Sequence, residues 1–80
     1  MLITLNYRLG PLGFFTLEND IAPGNLGIRD QIKALEWIKK NVQAFGGDPD
    51  RITISGESAG GMSVMFLMLS PMAEVKYTHF

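Results

Sequence analysis

Cysteine is absent from the 80 residues, which excludes a disulfide framework and a thiolate-held metal within them. Neither sign of charge dominates. Seven Lys and Arg stand against eight Asp and Glu, a net charge of −1, so nothing electrostatic favours nucleic acid or an anionic membrane surface. The longest uncharged stretch, residues 58–73, is broken by Gly60, Gly61, Ser63, Ser70 and Pro71. Its apolar part falls short of the ~20 residues a bilayer span requires. The first residues lack the basic and long apolar regions of a signal peptide. No Asn-x-Ser/Thr acceptor and no low-complexity run occurs. Neither a metal nor a cofactor is expected.

What is present has the balance of a globular chain, 46% hydrophobic and 19% charged, and eighty residues make a marginal domain unless the core is well built. Residues 2–7 are an apolar run rich in β-formers and read as a buried strand. Residues 8–27, punctuated by Gly10-Pro11, Gly13, Pro23-Gly24 and Gly27, read as a long irregular loop. A helical period follows. Ile28, Ile32, Leu35, Ile38, Val42 and Phe45 recur at steps of four and three, which makes one apolar stripe. Asn25 or Asp30 is placed to cap or charge the start of this helix, and Gly46-Gly47 to stop it. After the turn-forming Asp48-Pro49-Asp50, residues 51–55 read as a second strand. Residues 61–69 then form a helix with no polar face, ended by Ser70-Pro71. The tail from Glu74 is too short to assign.

Strand, helical crossover and strand together predict an α/β fold built on a parallel βαβ unit. Two strands leave open edges, and a helix apolar all round needs cover on every side. The expectation is therefore a partial domain over residues 1–80, incomplete at both ends.

Chemistry concentrates at Gly56-Glu57-Ser58-Ala59-Gly60, which fits Gly-x-Ser-x-Gly between a strand and a helix, the setting of a nucleophile elbow. The turn must be tight enough to thrust the serine hydroxyl outward, which gives Gly56 and Gly60 a steric reason. The helix start places unpaired N–H groups, that of Ala59 first, where negative charge can develop. A plainer reading is a strand-to-helix turn whose serine merely caps the helix.

Further blocks make the pattern specific. Asn6-Tyr7-Arg8-Leu9-Gly10, Gly13-Phe14, Pro23-Gly24-Asn25-Leu26-Gly27, Asp30-Gln31, Ala34-Leu35, Trp37-Ile38, Phe45-Gly46-Gly47-Asp48-Pro49 and Gly56-Glu57-Ser58-Ala59-Gly60-Gly61 run in register, and the sequence resembles the type-B carboxylesterase/cholinesterase family, of the α/β-hydrolase fold. The resemblance implies that Ser58 is acylated by an ester substrate and that Ala59 supplies one backbone donor to the oxyanion hole. It makes Glu57 and Gly61 substrate-binding residues, Glu57 at the base of the active-site gorge beside the nucleophile or alternatively serving a buried hydrogen-bond network. It pairs Arg8 with Asp30 as a buried structural salt bridge. The family's other oxyanion donors lie upstream of Asn6, and its triad acid and histidine well downstream of the serine. On this reading His79 and Glu74 are not triad members. Trp37 and the methionines at 62, 65, 68 and 72 are packing residues. The implied partner is a small-molecule ester, and the family is commonly secreted or lumenal. The competing expectation is a cholinesterase-like adhesion or scaffold protein that keeps the fold without the catalysis.

Overall fold

The computed structural model describes residues 1–74 and 77–79. The apolar stripe decides the architecture. A 16-residue helix, Leu26–Asn41, carries Ile32, Leu35 and Ile38 as buried residues and runs on into a 3-10 turn, Val42–Phe45. Gly46 and Gly47 end it, their N–H groups returning to the carbonyls of Gln43 and Val42, which satisfies groups that a helix end leaves open. A short helix, Gly10–Phe14, precedes this one and another, Ala59–Leu69, follows. In chain order these three are α1, α2 and α3.

The core lies on one side of α2. Ile32 and Leu35 pack with Ile54, Leu67 and Ala73, while Ile38 and Val42 pack with Ile52. Tyr77 touches both groups. Each such aliphatic side chain contributes about 1.5–3 kcal/mol when fully covered, so α2 holds residues 52–54 and the far end of α3 in place. Burial of Ile52 and Ile54 with Thr53 exposed is the alternation of an extended segment.

The expected pairs of strands do not form ladders among the described residues. Residues 2–7 have no strand hydrogen bonds, and Leu2, Ile3 and Leu5 are exposed. Between them and residues 51–55 lies a groove of about 470 Å³, lined by Met1 to Leu5 on one side, Ile52 to Ser55 on the other, and Leu35 and Ile38 of α2. Strand pairing needs backbones about 4.8 Å apart, and no backbone hydrogen bond joins these two segments among the described residues. Residues 51–55 instead join the tail. Thr53 makes an isolated parallel bridge with His79, and the N–H of Ile54 donates to the His79 carbonyl at 2.9 Å. Of the unassigned tail, Val75, Lys76 and Phe80 lie outside the described residues.

Three further expectations are corrected. The loop of residues 8–27 contains α1, where Pro11 enters the first turn, a position at which its fixed φ suits a helix. Trp37 is 55% exposed and stacks obliquely on Phe45, ring centroids 6.2 Å apart; neither belongs to the core. The residues of α3 are bare along most of its length, with Leu67 buried while Met62, Met65, Phe66, Met68 and Leu69 are exposed.

Arg8 and Asp30 do pair, although on the surface of this chain, with side-chain exposures of 52% and 27%. The guanidinium grips the carboxylate with two atoms, Nε to Oδ2 at 2.8 Å and a terminal nitrogen to Oδ1 at 2.6 Å, and the Arg8 backbone N–H adds a third bond at 3.0 Å. Asp30 is therefore committed to Arg8. Asn25 begins α2 from a left-handed conformation without a side-chain cap bond. The Arg8 carbonyl sits where side chains on Gly13 or Gly27 would intrude, so the two glycines and the ion pair seat one backbone position together.

The Arg8 side chain first, and its backbone N–H second, hold the Asp30 carboxyl at about 2, well below the usual carboxylate range. The folded value lies below the unfolded value of about 3.9. The pair's stabilisation is therefore complete above about pH 4 and lost as pH falls through about 2. In denaturant unfolding of the intact protein, Asp30→Asn is expected to lower the midpoint at pH 6, and the difference from the parent to close toward pH 2. A difference that stayed constant across this range would reject the assignment.

Candidate active site

Residues 51–55 deliver the chain to a reversal at 57–60. The Gly60 N–H donates to the Glu57 carbonyl at 2.9 Å, closing a four-residue turn with Ser58 and Ala59 at its centre. Ser58 has φ 53° and ψ −121°, the values of the first central residue of a type II′ turn, a position that glycine normally takes. Among the described residues Glu18 and Asn25 also have positive φ. Asn25 lies at ψ 25° in the left-handed helical region, where asparagine is at ease. Ser58 does not share that excuse, and such a conformation costs on the order of 1–3 kcal/mol.

The turn runs directly into α3. The Met62 N–H donates to the Ser58 carbonyl at 3.1 Å, the first bond of the helix. Ser58 thus occupies the N-cap position, yet its side chain makes no cap hydrogen bond. The plainer reading of a capping serine is not what the geometry shows. The hydroxyl is exposed at the helix mouth and makes no hydrogen bond to the described residues. In the first turn the N–H groups of Ala59 and Gly61 have no helical acceptor. They stand at the positive end of the helix dipole.

Gly56 makes the reversal possible. A Cβ there would overlap the carbonyl carbon and oxygen of Gly60 and stand 2.8 Å from the Gly61 nitrogen. At Gly60 a Cβ would meet nothing within 4 Å, so the steric reason expected for both glycines holds for Gly56 alone. The close approach uses the Gly60 backbone, not the space beside it. A Cβ on Gly61 would come within 3.2 Å of the Gly56 carbonyl oxygen, a tight fit.

Glu57 is exposed here, and its described bond is through its backbone carbonyl; no buried network surrounds its carboxylate among the described residues. His79 is exposed, its Nδ1 lies 3.0 Å from Thr78 Oγ1, and its backbone is engaged with residues 52–54. Glu74 is exposed just past α3. Two residues near the turn escaped the sequence reading. Gln31 of α2 is buried and donates through Nε2 to Ser63 Oγ at 3.1 Å, and Ser63 Oγ donates to the Ala59 carbonyl at 3.0 Å. The signal was present, since Gln31 is a polar residue three after Ile28 and four before Leu35, inside the apolar stripe. No group of acidic or histidine side chains suited to a metal occurs among the described residues.

The fold to which these elements belong is shown by superposition. The chain matches a thermophilic PNB esterase with a TM-score of 0.84 and 53% identity, covering 90% of this chain and 15% of that one, which makes it part of an α/β-hydrolase. The sequence profile of the carboxylesterase family matches residues 1–79, and the chain belongs to that family. It is 55% identical over 73 residues to Cholinesterase 1 of Branchiostoma lanceolatum, 91% of this chain and 20% of the relative. To the bile salt-activated lipase of Bos taurus it is 55% identical over 71 residues, 89% and 12%. To the para-nitrobenzyl esterase of Bacillus subtilis (strain 168) it is 53% identical over 76 residues, 92% and 16%. The chain spans a fifth or less of the length of these relatives.

Gly56→Ala is expected to destabilise the intact protein by about 1–3 kcal/mol, the usual range for forcing extra atoms into a packed contact. Gly60→Ala should be the milder change. Thermal unfolding of the two variants side by side checks this; equal losses would show that the Gly56–Gly60 approach is not the tight point.

Proposed function

We propose that the protein carrying these residues hydrolyses carboxylic esters of small molecules through an acyl-enzyme intermediate on Ser58. The observation that carries the reading is the conformation of Ser58, held at positive φ with its hydroxyl released from capping. Membership of the carboxylesterase family supports it.

In this reading the Ser58 oxygen attacks the ester carbonyl carbon while a histidine takes the hydroxyl proton. Negative charge then grows on the carbonyl oxygen. In this reading the Ala59 N–H, at the start of α3, donates to that oxygen, and a backbone donor held in place by a helix contributes most because it needs little reorganisation. As the intermediate collapses, the histidine returns the proton to the leaving alcohol, and water later releases the acid by the same route in reverse. Glu57 and Gly61 flank the serine on the substrate side. In this reading the histidine and its acid lie outside these 80 residues; the contact of His79 Nδ1 with Thr78 Oγ1 and the backbone bonds of His79 to residues 52–54 support that for the histidine. The remaining oxyanion donors are supplied from outside them as well.

The adhesion or scaffold alternative gains nothing from the geometry. A protein with no use for the hydroxyl could place glycine at position 58 and shed the conformational cost of roughly 1–3 kcal/mol. The relatives described above are a cholinesterase, a lipase and an esterase by name.

A fluorophosphonate probe applied to the full-length protein is expected to label the peptide containing Ser58. Ser58→Ala should abolish labelling and lower kcat by roughly 10⁴-fold or more. A folded full-length protein that stays unlabelled would overturn the reading. The 80-residue chain by itself is expected to be poorly folded and to show no ester turnover, as checked by circular dichroism and p-nitrophenyl acetate hydrolysis.

A further inference from the structure

Ser58 lies in a costly conformation at the first residue before a helix, and helix first turns are where a chain relaxes most easily. Something must keep the first turn of α3 from unwinding to relieve the strain. The hydroxyl of Ser63 bonds back to the Ala59 carbonyl at 3.0 Å, but that bond lies within α3 and moves with it. Gln31 ties it to a different element. Its Nε2 reaches Ser63 Oγ at 3.1 Å from the buried face of α2, which also holds Arg8 through the neighbouring Asp30.

We infer that Gln31 and Ser63 are positioning residues, which lock the first turn of α3 to α2 and so fix the direction of the Ala59 N–H and the Ser58 hydroxyl. The inference rests on Ser58 being the nucleophile. The chain of bonds runs from Gln31 Nε2 to Ser63 Oγ and from that oxygen to the Ala59 carbonyl. The same Ala59 residue carries, on its other side, the N–H assigned to the oxyanion. Rotating its backbone by a few tens of degrees moves both the donor and the adjoining serine. Gln31 is a buried polar side chain, where an apolar residue of similar size would pack at less risk; burial of an amide is tolerated only when its hydrogen bonds are made.

A steady-state comparison in the full-length protein tests this with p-nitrophenyl acetate as substrate. Gln31→Leu, which keeps volume and removes the donor, and Ser63→Ala are each expected to lower kcat about tenfold or more, the scale of loss from small displacements of reacting groups. KM should stay within about twofold. The double variant should be no worse than the more affected single one, since both break the same link. Ser63→Thr, which keeps a hydroxyl able to bond one turn back, should recover most of the lost kcat. If Gln31→Leu is too unstable to assay, Ser63→Ala and Ser63→Thr alone carry the comparison. Unchanged kcat in Ser63→Ala, or equal kcat in the Ala and Thr variants, would overturn the inference even where the thermal midpoint falls. Turnover that survives Ser58→Ala would instead remove the nucleophile assignment, a failure distinguishable from the first.

Discussion

The site depends on one close approach between two stretches of backbone. Where the extended residues 51–55 give way to α3, the Cα of Gly56 faces the Gly60 carbonyl at a distance that leaves no space for a side chain. Glycine at 56 permits that contact, and with it a reversal completed within four residues that holds Ser58 at φ 53° and ψ −121°. The hydroxyl projects from that turn without a capping bond. In physical terms, a packing constraint at residue 56 is converted into an orientation at residue 58, two peptide units away.

A constraint of this kind works only if both of its arms are held. Residues 52–54 are held from below by Ile52 and Ile54, which pack on Ile32, Leu35, Ile38 and Val42 of the α2 stripe. From the side they are held by hydrogen bonds to Thr78 and His79. The other arm, α3, is held at its far end by Leu67 in the same core and near its start by the Gln31–Ser63 bond. Helix α2 is thus the common footing of both arms. Its polar first turns do two jobs with neighbouring residues: Asp30 reaches out to Arg8, and Gln31 reaches across to α3. Successive helical residues point about 100° apart, so one pair of positions can serve two directions.

The sequence made α2 legible because its stripe repeats over nearly five turns, and made the elbow legible because Gly-x-Ser-x-Gly fell between an apolar run and a helix. Other features could not be read in the same way. The strand expected at residues 2–7 rested on composition alone, and a strand exists only with a partner backbone; a groove stands where that partner would be. Helix α1 was hidden because Gly10-Pro11 and Gly13 read as loop punctuation, although proline at a helix start is favourable. Trp37, expected as a packing residue, falls between Leu35 and Ile38, off the stripe, and pairs with Phe45 outside the core. Gln31 is the converse case, a polar residue that the stripe carries into the interior. Periodicity outranked residue type in both cases.

The bare surface of α3 bears on how firmly the elbow is held. Met62, Met65, Phe66, Met68 and Leu69 are exposed, and covering each such side chain is worth about 1.5–3 kcal/mol. The strain at Ser58 is on the order of 1–3 kcal/mol. These side chains are already partly covered, so each regains only a fraction of that figure, but burying all five together outweighs the conformational penalty at the serine. Without that cover, α3 is anchored chiefly by Leu67 and the Gln31–Ser63 bond, and unwinding its first turn would relieve the strain at little cost. The sharpness of the turn at Ser58 is thus a property of the layers packed over α3 as much as of the five residues that form it. The relatives, of which this chain spans a fifth or less, have the length to provide such layers.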